Sequence, residues 1–220
     1  MHLSTRLEAC LKYTEGFVKL ADIGTDHAML PIVAVERGNV MKALAIDNKF
    51  GPFIQARTNV NKYQVTEKVK VLLGDGLEKI DDETDVVVIS GMGGELIVKI
   101  LSSSDLRNVK RIIIQPNNNV PLVRAILEQI EYHIVDELVL EDTKKLYEII
   151  VVEKGTITLS TTEMEFGPIN LIEKPYYFIQ KVQRELDHLR SIIDNIEQPE
   201  ERKKVEDRIQ LLQEVTYERN

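Results

Sequence analysis

Short runs of β-branched and aliphatic residues alternate with longer, more polar stretches through the first 154 residues of the chain. The five apolar runs cover residues 18–23, 42–46, 69–73, 85–90 and 111–115. The stretches between them that have a helical pattern are residues 27–37, 49–62, 95–101 and 121–130. Continuous apolar strands that alternate with helices predict a parallel sheet covered on both faces.

The alternation changes after residue 130. Two consecutive strand-like runs, residues 132–140 and 145–152, are joined by a polar turn at residues 141–144, which predicts an antiparallel pair. A dehydrogenase would repeat the strand–helix unit throughout. Five such units closed by an antiparallel pair therefore predict the α/β sheet of a class I, Rossmann-like methyltransferase.

The C-terminal part of the chain has a different period. After a polar connector at residues 155–168, apolar residues recur alternately three and four positions apart: Ile179, Val182, Leu186, Leu189, Ile193 and Ile196. A polar link precedes Pro199, and the stripe resumes at Val205, Ile209 and Leu212. We predict an antiparallel two-helix coiled coil, with a methyltransferase domain at residues 1–160 and a helical domain at residues 161–220.

Composition limits the class of protein. The chain is 43% hydrophobic and 29% charged, and it has no apolar run of the roughly 20 residues that a membrane helix needs. Its one cysteine is Cys10 and its four histidines are scattered, so we expect a soluble cytoplasmic protein without a metal site. The net charge of −8 means that any site for nucleic acid must be a local basic patch.

Three successive strands end in turns that combine acidic residues with Gly or Asn. The turns contain Asp22, Gly24, Thr25 and Asp26; then Asp47 and Asn48; then Asp75 and Gly76. Each turn alone could be an ordinary helix cap or loop. In series they offer acceptors for a ribose diol and for an amine, without a glycine-rich phosphate loop. S-adenosylmethionine fits this pattern better than NAD or ATP.

The ends of the fourth and fifth strands predict the place where donor and acceptor meet. Gly91, Met92, Gly93 and Gly94 follow the fourth strand, and three glycines are more than a helix entry needs. The fifth strand ends in Gln115, Pro116 and Asn117, whose amides could read the edge of a base. That last turn is equally an ordinary loop.

Several of these motifs together resemble one family. Residues 3–7 (Leu-Ser-Thr-Arg-Leu), 22–28, 90–94 and 115–117, with the helical tail, resemble the bacterial TrmK family of tRNA (adenine(22)-N1)-methyltransferases. The resemblance implies S-adenosylmethionine as donor, tRNA as partner, and a C-terminal coiled coil that helps to hold tRNA. It implies donor binding by Arg6, Asp22, Gly24, Thr25, Asp47, Asn48, Asp75, Gly76, Gly91 and Met92, with Arg6 as charge partner of the donor carboxylate or of Asp26.

The chemistry of methylation at adenine N1, which leaves a cationic base, suggests two catalytic candidates, and the need for local positive charge suggests the basic contacts. We expect Asp26 to stabilise the cationic product base, with His27 orienting it, although His27 could be a packed helix residue. Predicted substrate contacts are Gly93, Gln115, Pro116, Asn117, Lys144, Lys145, Lys181 and Arg184. Other basic candidates are Lys110, Arg111, Arg202, Lys203 and Lys204, and any of these cations could simply be solvated.

Three other functions remain open from the residues. A methyltransferase of a small molecule or protein would share every donor residue, and a non-catalytic scaffold could use the coiled coil to bind a partner. An NAD oxidoreductase is disfavoured by the missing three-glycine fingerprint. An apolar stripe can pair within one chain or between chains, so we expect a monomer or a weak dimer.

Overall fold

The structure is a computed structural model that describes residues 2–103 and 105–217. The chain forms two compact units, Met1–Gly167 and Pro168–Asn220. The first unit carries the sheet, and the second is helical.

Seven strands form one mixed sheet in the order β3-β2-β1-β4-β5-β7-β6. The strands are β1 Lys19–Ile23, β2 Lys42–Asp47, β3 Val69–Leu73, β4 Val86–Met92, β5 Arg111–Pro116, β6 Tyr132–Asp142 and β7 Lys145–Lys154. Strands β1 to β5 pair in parallel, whereas β7 is antiparallel to β5 and β6 is antiparallel to β7. This order confirms the predicted class I methyltransferase sheet.

Helices cover both faces of the sheet. Those of the first unit are α1 Thr5–Lys12, α2 Met29–Arg37, α3 Phe50–Lys62, α4 Gly94–Ser102, α5 Val120–Ala125 and α6 Thr161–Phe166. The β1–β2 and β2–β3 crossovers run one way along the sheet and the β4–β5 crossover runs the other way. Right-handed crossovers therefore place α2 and α3 on one face and α4 on the opposite face. The central strands are buried from both sides, which explains their unbroken apolar runs.

The connector to the second unit differs from the predicted loop. It contains helix α6, which Ser160 caps by accepting from the Glu163 amide while the Glu163 carboxylate accepts from the Ser160 amide. This capping box is readable as Ser-Thr-Thr-Glu. The predicted helix at residues 121–130 is also shorter, because α5 ends at Ala125.

A buried ionic cluster holds this part of the first unit. Arg124 on α5 is 1% exposed and pairs with Glu137 on β6 and Glu148 on β7, at 2.8 Å each. Its guanidinium also donates to the backbone oxygens of Met164 and Glu165 on α6. One side chain thus joins α5, the β6–β7 pair and α6.

The second unit is an antiparallel helical hairpin. It contains α7 Pro168–Glu173, α8 Tyr176–Ile192, a 3₁₀ turn Ile193–Asn195 and α9 Pro199–Thr216. Arg208 pairs with Glu185 at 2.7 Å, and the Lys174 ammonium donates to the Tyr217 carbonyl. Residues buried within this unit include Phe178, Val182, Leu186, Leu212 and Val215. Among all the described helices, none is long and apolar enough to span a membrane.

Candidate active site

The carboxyl ends of β1, β2, β3 and β4 meet at one edge of the sheet around a cavity of about 410 Å³. Parallel strands bring these ends together, which is where ligands of open α/β sheets bind. The predicted site residues that line the cavity are Gly24, Asp26, Asp47, Asn48, Asp75, Gly76, Gly91, Met92 and Gly93. Residues far apart in sequence thus share one cavity.

Asp47 joins two of the turns at this edge. The residue is 8% exposed, and its carboxylate accepts from the backbone N–H of Lys49 at 2.8 Å and of Asp26 at 3.3 Å. A carboxylate has about four acceptor sites, so two of them are left for a ligand in the cavity. In the neighbouring turn, the Asn48 amide donates to Asp75 at 3.2 Å. The backbone N–H groups of Asp26 and Lys49 therefore orient the Asp47 carboxylate at the end of β2.

Asp22 and Thr25 lie beneath the cavity and are not among its lining residues. Both are buried, and the Thr25 hydroxyl donates to the Asp22 carboxylate at 2.6 Å. Burial, opposed by the Thr25 hydrogen bond and assisted by the negative charge of Asp47, raises the pKa of Asp22 to about 6. In this geometry the two residues brace the turn, and their predicted direct contact with the donor stays a prediction.

The turn between β1 and α2 has a left-handed backbone at three positions. Gly24, Asp26 and Ala28 have φ of +71°, +49° and +55°. A Cβ at residue 24 would meet only the flexible end of the Met92 side chain, so it is the left-handed φ that favours glycine there. Non-glycine residues with positive φ are sparsely populated and concentrate at functional sites. This conformation points to a turn shaped for a ligand.

The two predicted catalytic side chains are neighbours. His27 Nε2 lies 3.3 Å from the Asp26 carboxylate, and both side chains are more than half exposed. His27 is therefore not a packed helix residue: α2 begins only at Met29. The backbone carbonyl of His27 accepts from Asn59 on α3 at 2.9 Å, so α3 supports this turn.

Gln115 lies on β5, opposite Ser90 of β4, and is the centre of a hydrogen-bond network. The residue is fully buried, and its Oε1 accepts from Arg6 Nη1, from the Ser90 hydroxyl at 3.1 Å and from the Gly91 amide at 3.0 Å. Its Nε2 donates to the Pro116 carbonyl at 2.8 Å. Both ends of the side chain are occupied within the protein, so Gln115 has no exposed atom with which to read a base, contrary to the expectation from sequence.

Arg6 has several partners within the protein, and its predicted contact with the donor carboxylate stays a prediction. Besides Gln115, its guanidinium lies over the Tyr147 ring at 5.3 Å, and it forms no ion pair with Asp26 within the described residues. An added Cβ at Gly91 would come within 3.0 Å of the Arg6 guanidinium. Arg6 is thus placed against the turn that follows β4. Sequence reasoning missed Tyr147, which lies in no obvious pattern, and it gave Ser90 no role although Ser90 begins the 90–94 motif.

Asparagines after β5 hold the glycine turn from the other side. Asn117 donates from its side chain to the Gly91 carbonyl at 2.7 Å, and Asn118 accepts from the Gly94 amide at 3.0 Å. A Cβ at Gly94 would meet the backbone carbonyl of Asn119 at 2.7 Å. Gly94 therefore serves close packing, while Gly91 and Gly93 face the cavity.

The predicted basic contacts lie outside the cavity. Lys144 lies in the tight turn between β6 and β7, Lys145 is the first residue of β7, and Lys181 and Arg184 lie on α8 in the second unit. The amide of Arg6 donates to Asp142 at 3.2 Å, so the β6–β7 turn adjoins the start of α1. Contact of these four residues with RNA stays a prediction. In the described residues, no group of three His, Cys, Asp or Glu side chains could hold a metal ion.

Comparison with known proteins assigns the family. The sequence profile described as TrmK: tRNA (adenine(22)-N(1))-methyltransferase matches residues 20–216. The chain belongs to the TrmK family. It is 37% identical to the tRNA (adenine(22)-N(1))-methyltransferase of Bacillus subtilis strain 168, over 98% of this chain and 97% of that protein.

Solved structures of TrmK proteins share the whole architecture. The B. subtilis m1A22 tRNA methyltransferase TrmK superposes with a TM-score of 0.87 at 35% identity, covering 98% of this chain and 99% of that one. A Streptococcus pneumoniae protein in complex with S-adenosyl-L-methionine gives 0.91 at 38% identity, covering 98% and 100%. M. capricolum TrmK in complex with S-adenosyl-homocysteine gives 0.88 at 28% identity, covering 98% of each chain.

Proposed function

We propose that this protein transfers a methyl group from S-adenosylmethionine to N1 of adenine 22 in tRNA. The observation that carries the proposal is the cavity at the ends of β1 to β4, lined by Asp47, Asp75 and glycine turns, in a chain that belongs to the TrmK family. The curated relative from B. subtilis has this activity in its name, and two structural relatives were solved with the donor or its product.

The residues at the cavity fit an adenosyl donor. The volume of about 410 Å³ lies within the usual range for small-ligand sites, roughly 300–1,000 Å³. Asp47 has lone pairs to spare for a ribose diol, and Asp75 stands next to Gly76, whose φ of +50° bends the chain closely around the site. When bound, S-adenosylmethionine supplies an electrophilic methyl group on a sulfonium.

We assign the protein a mainly positioning role in the reaction. N1 of adenine is a neutral nucleophile with an available lone pair, so no base is needed to start the displacement. Aligned placement of reactants can supply on the order of 7–11 kcal/mol. Gly91 and Met92 at the end of β4 would stand between donor and base, and the Gly91 amide is held by Gln115, which also accepts from Arg6.

Charge at the target base is the second contribution of the protein. Methylation at N1 leaves the adenine cationic, and the Asp26 carboxylate at the rim of the cavity would stabilise this charge as it develops. His27, 3.3 Å away, would hold the Asp26 side chain in position. N1 of a paired adenine is hidden in the duplex, so the enzyme acts on an unpaired or extruded base.

The proposal extends to partners and location. Lys144, Lys145, Lys181 and Arg184 are candidates for phosphate contacts, which the acidic chain needs as local positive charge. We infer that the protein acts in the cytoplasm, where it meets tRNA, that it works as a monomer or weak dimer, and that it requires no metal.

The test is methylation of defined RNA. The purified protein is incubated with radiolabelled S-adenosylmethionine and unmodified tRNA, and the digested nucleosides are identified. We expect labelled 1-methyladenosine, and no label in a matched transcript in which adenine 22 is replaced by guanine. Donor binding without labelled tRNA would instead indicate a small-molecule or protein methyltransferase. Absence of donor binding would overturn the enzymatic assignment.

A further inference from the structure

One segment next to the candidate active site departs from the acidic character of the chain. The protein has a net charge of −8, yet residues 48–66 contain no Asp or Glu and carry three cations, Lys49, Arg57 and Lys62. Most of this segment is helix α3, Phe50–Lys62. The segment is therefore a local basic feature on an acidic protein.

The basic residues share their side of the helix with exposed apolar groups. Helical spacing places Phe50, Ile54, Arg57 and Asn61 in one row, and Lys62 flanks it; we call these five residues the α3 outer face. Phe50 is 67% exposed and Ile54 is 42% exposed, whereas Ala56 and Val60, on an adjoining side of the helix, are buried. A large exposed aromatic beside cations is unusual for a helix face that only meets water.

The cations of helix α3 and its N-terminus are not neutralised by carboxylates of the described residues. Within residues 2–103 and 105–217, Lys49, Arg57 and Lys62 form no ion pair with a carboxylate, unlike Arg37 and Lys19, which pair at 2.6 Å and 2.5 Å. The Arg57 guanidinium lies 5.6 Å from the centre of the Phe53 ring, whose own centre is 6.2 Å from that of Phe50. The Arg57 charge thus lies beside aromatic rings, and no carboxylate among the described residues neutralises it.

The α3 outer face continues from the cavity. Lys49 and Pro52, at the start of α3, line the cavity itself. Farther along the helix, the Asn59 side chain donates to the backbone carbonyl of His27 at 2.9 Å. The same helix that carries the basic face therefore holds the turn with Asp26 and His27.

We propose that the α3 outer face binds the substrate RNA beside the target nucleotide, with Arg57 and Lys62 on phosphates and Phe50 stacked on an unpaired base. This inference rests on the proposed function and adds a substrate-binding surface to it. Unpaired cations favour a polyanion, and an exposed aromatic ring suits the splayed bases of RNA loops. A protein partner would more often require a larger apolar centre without unpaired charge.

The cations are tested by the salt dependence of tRNA binding. Arg57→Gln, Lys62→Gln and the double variant are compared with Lys99→Gln, which removes an exposed cation from α4 on the opposite face of the sheet. Each lost phosphate contact lowers the slope of log K against log salt by about 0.7–0.9. We expect a slope smaller by about 1.5 in the double variant, with unchanged S-adenosylmethionine affinity, and no change for Lys99→Gln.

The aromatic contact has a different signature. Stacking is not an exchange of counterions, so Phe50→Ala should weaken tRNA binding roughly fivefold to a hundredfold at every salt concentration and leave the slope unchanged. Phe50→Tyr should bind as the parent does. Loss of donor affinity in Phe50→Ala, or a dimer of the parent that this variant dissociates, would overturn the assignment of Phe50 to RNA.

Different results contradict the α3 surface and the proposed function. If the parent protein methylates tRNA but the α3 variants keep its affinity and slope, only the α3 surface is wrong. If the parent protein does not methylate tRNA at all, the proposed function fails first. Thermal unfolding of each variant, with its donor affinity, shows that the changed surface residues leave the fold intact.

Discussion

Replacement of Gln115 by alanine should be among the most damaging single changes near the candidate active site. The side chain is fully buried, and its Oε1 accepts from Arg6, Ser90 and Gly91 at once. A buried donor left without an acceptor costs about 1–3 kcal/mol. Because Arg6 and Ser90 can partly relax toward other groups, we expect a total loss of about 3–4 kcal/mol in the free energy of unfolding.

The matched control is Asn117→Ala. Asn117 lies on the same turn and also bonds Gly91, at 2.7 Å, but its side chain is exposed and water can replace the lost hydrogen bond. For a chain of this size, each kcal/mol shifts the melting temperature by roughly 2–4 °C. Circular dichroism should therefore show Gln115→Ala melting about 6–16 °C below the parent, and Asn117→Ala within about 3 °C of it.

Catalysis should follow the same order. Without Gln115 Oε1, the Gly91 amide and Arg6 lose the acceptor that both of them contact, so the turn after β4 can shift. A displacement of about 1 Å in an active site can lower the rate roughly a hundredfold. Gln115→Glu keeps an acceptor for all three donors but loses the donor to the Pro116 carbonyl, so it should recover part of the stability and of kcat. Equal melting temperatures for Gln115→Ala and Asn117→Ala would refute the reasoning.

Three further predictions concern charge. The pKa of Asp22 is raised to about 6 by burial, so ionisation between about pH 4 and 6 opposes folding: the penalty is absent below the pKa of the unfolded state and complete above 6. Urea unfolding of Asp22→Asn should therefore lack the fall in stability that the parent shows as pH rises through this window, whereas the exposed Asp26→Asn should keep it. Arg124→Met leaves Glu137 and Glu148 buried without the Arg124 cation, so it should lower the free energy of unfolding by about 3–5 kcal/mol in denaturant titrations. The variant that also carries Glu137→Gln and Glu148→Gln should recover stability. Without that recovery, uncompensated buried charge is not the cause of the loss. Asp26→Asn should lower kcat about tenfold or more at saturating tRNA, with unchanged donor affinity, if its charge stabilises the cationic product; an unchanged kcat would remove Asp26 from the mechanism.

Local patterns were sufficient to predict the sheet and the site's location. A strand buried on both faces must be apolar throughout, so residues such as Ile23, Ile46 and Ile89 mark the strands directly. Parallel strands end at a common edge, so the turns after them converge whatever their distance in sequence. The positions of Asp47 and Asp75 in one cavity follow from this rule alone. Heptad spacing was likewise enough to predict the paired helices of the second unit.

The roles of individual polar side chains depended on tertiary structure, because their partners lie far away along the chain. Gln115 is 109 residues from Arg6. In sequence its amide could face solvent or the interior, and only the packed sheet shows that it supports the turn after β4. The burial of Asp22 and the pairing of Arg124 with two glutamates likewise depend on residues that are distant in sequence.

The sequence by itself thus determined which segments form strands and helices, the class of the sheet and the edge at which a ligand would bind. Periodic burial of apolar side chains is a local property, and the rules of strand connection turn it into topology. Only the tertiary structure decided which polar groups line the cavity and which are buried outside it. It also decided that α3 presents cations that form no ion pair within the described part of the chain. The physical reason is that burial and hydrogen bonding between distant residues arise from packing, and no local pattern specifies them.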